Sequence, residues 1–331
     1  MRNQRLTLAR LAAATLLFTA FHAQAATSGL ARFTKVVYAK DDRVEAYQHP
    51  DRRLRDMAKS VAGMVAKRHL SEEMSLSEIE RLRQLLDPEI FEQYEEFFTE
   101  MAGKKKSSAF SITQSSTLSD AYRVCKDERF ANQKILPVCT GFLIAPDILL
   151  TAGHCVRTAA SCRDYVWVFD YLDKTTNILK KDVYSCKQVL GQNYSSGLFS
   201  ARDYAIIKLD RKSEREPLDL RRKGSVDRGD EVAVIGHPSG LPLKIADNAQ
   251  VQKNYLFTFK TNLDTFAGNS GSPVINTKEG IVEGILVEGA DDYIVDSANA
   301  CRRVSKRISS RSESSERVFK VTRIKELDDL L

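Results

Sequence analysis

Three short motifs carry side chains that together could cut an acyl bond. The sequence GNSGSP at positions 268–273 places Ser270 in a polar turn between two glycines. Such a turn exposes the hydroxyl and frees backbone N–H groups, which can stabilise the negative charge of a transition state. Upstream, His154 lies in TAGHC and Asp203 begins DYAIIKL. A histidine can be the general base that a serine nucleophile needs, and a carboxylate can fix its tautomer.

The order of these residues narrows the choice of family. Histidine, then aspartate, then serine is the order of the chymotrypsin-type triad, and other serine hydrolase folds use other orders. On these motifs the chain resembles secreted bacterial serine proteases of the trypsin/chymotrypsin fold, and GNSGSP is similar to the serine motif of the V8 (glutamyl endopeptidase-like) branch. The resemblance implies a serine endopeptidase with catalytic His154, Asp203 and Ser270. It also implies an oxyanion hole formed by the amides of Gly268 and Ser270.

Each motif alone also has an ordinary interpretation. A GxSxG string can be a nucleophile elbow of another fold or simply a turn, and an aspartate before an apolar strand can be a surface charge. Together and in order they favour a protease. Two other functions stay open: a catalytically weak or inactive binding protein that keeps the protease fold, and an esterase or lipase.

The resemblance further implies a substrate pocket formed by Asp264, Thr265, Leu286 and Glu288. By position Asp264 would lie at the base of this pocket, as in trypsin, and Thr265 matches the pocket threonine of the V8-like branch. The pocket histidine of that branch would fall at Leu286, and Glu288 adds negative charge near the rim. A buried acid favours a basic side chain and rejects an acidic one. We therefore expect a basic or broad preference for the residue before the scissile bond.

Composition and net charge argue against a nucleic-acid partner. The chain has 331 residues, 43% of them hydrophobic, which suffices for one or two globular domains with a core. The formal net charge of +6 is mild, and no basic run is interleaved with aromatic residues, so we expect no nucleic-acid partner. We expect a monomer that acts on polypeptides without a cofactor.

The N-terminus has the pattern of a signal peptide over residues 1–25. Arg2, Arg5 and Arg10 precede an apolar run at 11–21, and Ala-Gln-Ala at 23–25 is a cleavage signal. The run is too short to span a bilayer. We therefore expect a secreted or periplasmic protein that has no membrane contact after the signal is removed.

The six cysteines of an exported chain favour disulfides over a metal site, and no paired metal-type spacing is present. The resemblance implies a bridge beside the catalytic histidine, between Cys139 and Cys155. Cys162–Cys186 is a plausible local bridge and would leave Cys125 with Cys301, although the sequence alone does not fix the pairing of these four. We expect no metal.

We expect an N-terminal region, residues 26–107, that precedes the protease domain as an insertion or a removable pro-segment. Within it, the sequence VVYAKDDR at 36–43, a valine start followed by an Asp-Arg pair, resembles the mature N-terminus of V8-like proteases, and Lys35 just before it is a candidate processing site. Apolar spacing predicts a helix over 54–65 and a helical hairpin over 77–102, followed by a lysine run at 104–106 that could be cleaved.

Residues 108–331 are expected to form the protease domain. Short apolar runs separated by turns predict strands at 138–144, 148–151, 165–169, 205–209, 231–236 and 256–261. The charged stretch 210–230 would cross between two barrels, and residues 318–331 have the spacing of a closing amphipathic helix. The predicted fold is all-β: two six-stranded antiparallel barrels, with an N-terminal helical addition and a C-terminal helix.

Overall fold

Two β-barrels dominate the computed structural model of this chain. The structure describes residues 37–38, 41–72, 76–102, 109–195, 202–289, 292–307 and 316–331, all within the unit Lys35–Leu331. The predicted signal peptide, the candidate processing site at Lys35 and the lysine run at 104–106 lie outside these ranges. None of the helices in the described ranges is long and apolar enough to cross a membrane.

The elements are named in chain order. The strands are β1 Val37–Tyr38, β2 Val44–Glu45, β3 Val61–Ala66, β4 Leu70–Glu72, β5 Ala109–Ile112, β6 Ser116–Thr117, β7 Lys134–Ile135, β8 Cys139–Ala145, β9 Ile148–Thr151, β10 Tyr165–Phe169, β11 Asn177–Leu179, β12 Val183–Ser195, β13 Arg202–Leu209, β14 Glu231–Gly236, β15 Lys244–Asn254, β16 Thr258–Thr261, β17 Pro273–Asn276, β18 Ile281–Glu288, β19 Tyr293–Asp296, β20 Cys301–Val304, β21 Lys306–Arg307 and β22 Glu316–Lys320. The helices are α1 Arg52–Ala58, α2 Leu76–Leu85, α3 Pro88–Ala102, α4 Leu118–Tyr122, α5 Ala159–Asp164 and α6 Leu327–Leu330.

The first barrel closes in the strand order β3–β8–β9–β13–β12–β10. Its walls are apolar, with Phe142, Leu149 and Trp167 almost completely buried. The second barrel uses β14, β17, β18, β22, β16 and β15, and the pairing of β14 with β15 closes the ring. Residues 210–230 connect the two. The predicted all-β fold with two six-stranded antiparallel barrels is confirmed.

Strand β3 replaces the second part, residues 61–65, of the helix predicted over residues 54–65. Only α1 is helical there, and all six residues of β3 are buried between β8 and β10. A Cβ on Gly63 would lie 2.5 Å from the Pro137 side chain, so this strand packs closely against the segment that leads into β8. Because β3 lies within residues 26–107, the first barrel uses chain from both sides of the expected boundary at 107/108. Residues 26–107 therefore cannot be removed whole without removing a barrel strand.

The predicted helical hairpin is present as α2 and α3, inserted between β4 and β5. These two strands pair antiparallel, with Glu72 opposite Phe110, so the insertion leaves and re-enters the sheet at neighbouring points. Arg83 lies 2.6 Å from Glu95 on the other helix and covers the buried Phe91 ring. The C-terminal segment differs from its prediction, because β22 is a barrel strand and the helical structure after it is limited to a 3-10 turn at Val321–Arg323 and to α6.

The structure joins Cys139 to Cys155 and, among the pairings that the sequence left open for the other four cysteines, it has Cys162–Cys186 and Cys125–Cys301. The bridges are Cys125–Cys301, Cys139–Cys155 and Cys162–Cys186, with Cα–Cα distances of 5.1, 6.3 and 5.1 Å. These distances lie in the usual range for disulfides.

Candidate active site

His154 is delivered by the end of a first-barrel strand. Strand β9 ends at Thr151, and Gly153, His154 and Cys155 form a short 3-10 turn. A Cβ on Gly153 would lie 2.3 Å from the carbonyl oxygen of Asn193, so only glycine fits at this position. The disulfide of Cys155 to Cys139 holds the other side of the histidine.

Asp203 accepts two hydrogen bonds from the same residue, His154. The ring Nδ1 lies 2.7 Å from Oδ2, and the backbone N–H of His154 donates to Oδ1 at 2.9 Å. Both side chains are only partly exposed, at 21% for His154 and 14% for Asp203. The Tyr194 ring stands edge-on to the imidazole at 6.1 Å between centroids. With Nδ1–H donating to the carboxylate, Nε2 is the nitrogen left to accept a proton.

Ser270 lies in the loop between β16 and β17, held by contacts to the first barrel. The carbonyl of Ser270 accepts from the N–H of Thr140 at 2.8 Å, and the Thr140 hydroxyl donates to the carbonyl of Gly268 at 2.8 Å. Gly271 has a φ of +91°, and a Cβ there would lie 2.0 Å from the Thr140 oxygen. The loop therefore needs glycine at this position to reach the other barrel.

The structure brings the loop of Ser270 to the residue that follows His154. The Cys155 Sγ lies 3.7 Å from the carbonyl oxygen of Ser270. Within the described residues, the Ser270 hydroxyl makes no hydrogen bond to the His154 ring. Catalytic hydrogen bonds of unliganded enzymes are often long and tighten only with substrate.

Two backbone donors beside Ser270 have no acceptor in the described part of the chain: the N–H groups of Gly268 and Ser270. The neighbouring amides are used, since Asn269 donates to Phe266 at 3.0 Å and Gly271 donates to Leu286 at 2.8 Å. Gly268 has a φ of +91°, and a Cβ there would lie 2.5 Å from the carbonyl oxygen of His237. The two free N–H groups are the donors that an oxyanion would need.

A cavity of about 340 Å³ opens at Ser270. Of the predicted pocket residues, Thr265, Leu286 and Glu288 line it. Glu288 is half-exposed and ion-paired with Arg317, while the Thr265 hydroxyl bonds the buried Glu316 carboxylate. The remaining lining residues are Tyr122, Phe266, Ala267, Gly289, Asp292, Tyr293 and Arg302.

Asp264 does not line this cavity, which corrects the expectation that it forms the base of the pocket. Its side chain is 3% exposed, and its carboxylate accepts from the N–H of Asp42 at 3.1 Å. Burial and the neighbouring Asp264 carboxylate raise the pKa of Asp42 to about 8. Thr265 therefore faces the cavity, whereas its neighbour Asp264 faces the N-terminal segment.

Several lining residues had no signal in the sequence. Asp292 accepts a hydrogen bond from the N–H of Ala267 at 2.8 Å, and Arg302 lies over the Tyr293 ring, 6.0 Å from its centroid. Asp292 and Arg302 lie outside every motif and reach Ser270 only through the folding of β19 and β20. The acidic base expected for the pocket is thus replaced by a wall that carries both signs of charge.

Two side-chain clusters in the described ranges have metal-type spacing: Cys139, His154 and Cys155, and Cys125, Asp296 and Cys301. In both clusters the cysteines are joined to each other in disulfides. Metal-binding cysteines coordinate as thiolates, so neither cluster suits a metal ion in this state.

Comparisons with known proteins found one family model and several solved structures. Residues 139–285 match the family model of the trypsin-like peptidase domain. Among solved structures, mouse neuropsin, a serine protease, is 17% identical, with 59% of this chain and 88% of that chain covered and a TM-score of 0.43. A protease of M. tuberculosis in its active form is 14% identical over 90% of each chain, with a TM-score of 0.44. Curated proteins gave no match.

Proposed function

We propose that this chain, which carries a trypsin-like peptidase domain, is a serine endopeptidase that works through His154, Asp203 and Ser270. The observation that carries the proposal is the double hydrogen bond from His154 to Asp203, at 2.7 and 2.9 Å, beside a loop that presents Ser270. A carboxylate that fixes both the ring and the backbone of a histidine orients a base. The match to the peptidase family supports the same activity.

The proposed reaction has two halves. Ser270 Oγ attacks the peptide carbonyl carbon while His154 Nε2 takes the hydroxyl proton, and the N–H groups of Gly268 and Ser270 stabilise the oxyanion. His154 then gives the proton to the leaving amine, which departs and leaves an acyl-enzyme on Ser270. A water, deprotonated by the same nitrogen, hydrolyses the ester and restores Ser270. Asp203 stabilises the imidazolium in both halves.

We also propose that the protein acts in a secreted or periplasmic setting, as a monomer, on polypeptides. The three disulfides support an oxidising compartment, and the pattern of residues 1–25 supports export. Membership of the V8-like branch remains part of this proposal and depends on the GNSGSP sequence. The helical hairpin, α2 and α3, would be an insertion in the protease domain.

Covalent labelling tests the activity directly. A fluorophosphonate probe should label the wild type, and Ser270→Ala should abolish labelling and peptide hydrolysis. Ser272→Ala is the matched control: Ser272 is fully buried, and its hydroxyl has no hydrogen-bond partner among the described residues, so labelling should persist. A folded wild type that neither reacts nor hydrolyses peptides would favour the alternative, a binding protein. Faster turnover of lipid esters than of peptides would favour an esterase.

A further inference from the structure

Residues 41–43, here called the brace, lie behind the cavity at Ser270. Arg43 is 1% exposed, and its guanidinium donates to both carboxylate oxygens of Asp41, at 2.9 and 2.8 Å. A buried charge is retained only when it is paired and hydrogen-bonded. The fork-to-fork contact with Asp41 therefore fixes the plane and the position of the Arg43 guanidinium.

The Arg43 guanidinium lies on the Phe266 ring, with Cζ 3.8 Å from the ring centroid. Phe266 lines the cavity and precedes Ser270 by four residues. A second ring, Phe130, lies 5.2 Å away. Arg43 Nη1 is buried and has no hydrogen-bond partner among the described residues. The guanidinium thus has the Asp41 oxygens as acceptors for Nε and Nη2 and two aromatic rings as further partners for its charge.

The brace holds the same wall at a second point. The N–H of Asp42 donates to the Asp264 carboxylate at 3.1 Å, two residues before Phe266. Segment 264–266 is therefore fixed from behind by one backbone hydrogen bond and one stacked cation. Neither contact enters the cavity, and neither touches His154 or Asp203.

We propose that Arg43 is a positioning residue for substrate recognition, which acts by holding Phe266 in the wall of the cavity that receives the substrate side chain. The proposal depends on the endopeptidase activity proposed above. Without Arg43 the Phe266 ring would lose its contact on the outer side, and the cavity would lose its shape while the base and nucleophile stayed in place. Selection of the side chain before the scissile bond would weaken, while the chemical step would persist.

A ratio of two activities tests this role. A positional peptide library first gives the residue after which the wild type cleaves best. The selection ratio is then kcat/KM for that peptide divided by kcat/KM for the same peptide with glycine there. Arg43→Met should lower this ratio by about tenfold or more, the loss expected for a desolvated cation on a ring. The rate of labelling by diisopropyl fluorophosphate, which carries no peptide side chain, should be unchanged.

Arg215→Met is the matched control. Arg215 also pairs with carboxylates, Asp170 at 2.7 Å and Asp182 at 2.6 Å, and lies on the Phe169 ring, but neither it nor Phe169 lines the cavity. This variant should keep the wild-type selection ratio. If both variants lower the ratio equally, or if Arg43→Met loses labelling as strongly as selection, the role assigned to Arg43 is wrong.

Two further variants keep the test decisive if Arg43→Met does not fold. Arg43→Lys keeps the buried charge but lacks the planar fork, so it should also lower the ratio. Phe266→Leu should reproduce the loss, and adding an Arg43 variant should lower the ratio no further, because both act through one ring. Additive losses would overturn the proposal. A wild type that never labels would instead defeat the endopeptidase proposal itself.

Discussion

Asp203→Asn is the sharpest test of the proposed base. In the structure Asp203 receives one hydrogen bond from the backbone of His154 and one from its ring. Asparagine can still accept the backbone N–H through its amide oxygen, but its NH₂ group then faces Nδ1. An NH₂ group only donates, so Nδ1 would have to accept, and the ring proton would move to Nε2. A protonated Nε2 cannot take the proton of Ser270.

The size of the loss in kcat distinguishes the loss of one hydrogen bond from the inversion of the His154 tautomer. Losing one hydrogen bond to a charged group costs about 1.5–3 kcal/mol, which corresponds to a rate loss of about 10- to 150-fold. An inverted tautomer removes the base altogether, and in a comparable protease the same change lowers kcat by about 10⁴. We expect the larger loss, because the backbone hydrogen bond would hold the asparagine amide in the inverting orientation.

For each preparation, kcat for peptide cleavage measures activity, and the melting temperature shows whether the protein is folded. Asp203→Asn should lose about 10⁴ in kcat while it stays folded. Asp210→Asn is the matched control, because Asp210 accepts from the N–H of Ser185 and pairs with Arg211 outside the site, and its kcat should be unchanged. A folded Asp203→Asn enzyme that keeps more than about 1% of wild-type kcat would refute the tautomer argument.

Two other predictions concern stability. The pKa of Asp42 is raised to about 8 in the folded chain, so the stability that protonated Asp42 contributes is complete below about pH 4 and is lost as the pH rises towards 8. Asp42→Asn cannot ionise and should raise the melting temperature relative to wild type at pH 8 but not at pH 4; an equal shift at both pH values would contradict this. Lys244 is buried and binds Glu45 at 2.8 Å, so Lys244→Met should cost about 3–5 kcal/mol in urea unfolding. Adding Glu45→Gln should recover part of that loss, because it removes the unpaired Glu45 charge. A double variant that is no more stable than Lys244→Met would contradict this explanation.

Much of the fold follows from local patterns in the sequence. Three strands, β9, β10 and β14, have the bounds predicted for them, because turns enclose short apolar runs there. Strand β3 was wrongly predicted as helix. All six of its residues are buried, so it shows no alternation, and an apolar run without alternation also fits helical spacing. Residues 318–320 of the predicted C-terminal helix belong instead to strand β22, in which four of the five residues are buried, so the apolar run again shows no alternation.

In the candidate site, too, residues in local motifs could be predicted, whereas contacts between distant parts of the chain could not. His154, Asp203 and Ser270 each lie in a recognisable local motif, so they could be named without the structure. The direction in which the Asp264 side chain points could not be predicted, because its partner Asp42 is 222 positions away in the chain. The role proposed for Arg43 was out of reach for the same reason, since its ring partner belongs to the other end of the sequence.

The position of strand β3 has a consequence for a chain cut between Ala102 and Ala109. The first cysteine of the sequence is Cys125, so no disulfide could join residues 37–102 to the rest. The upstream piece would carry both β3 and the Arg43 brace, and it would stay bound only through non-covalent contacts: strand pairing, packing, hydrogen bonds and ion pairs. The nicked protein would be a dissociable heterodimer, and its selectivity would fall on dilution as mass action separated the two pieces.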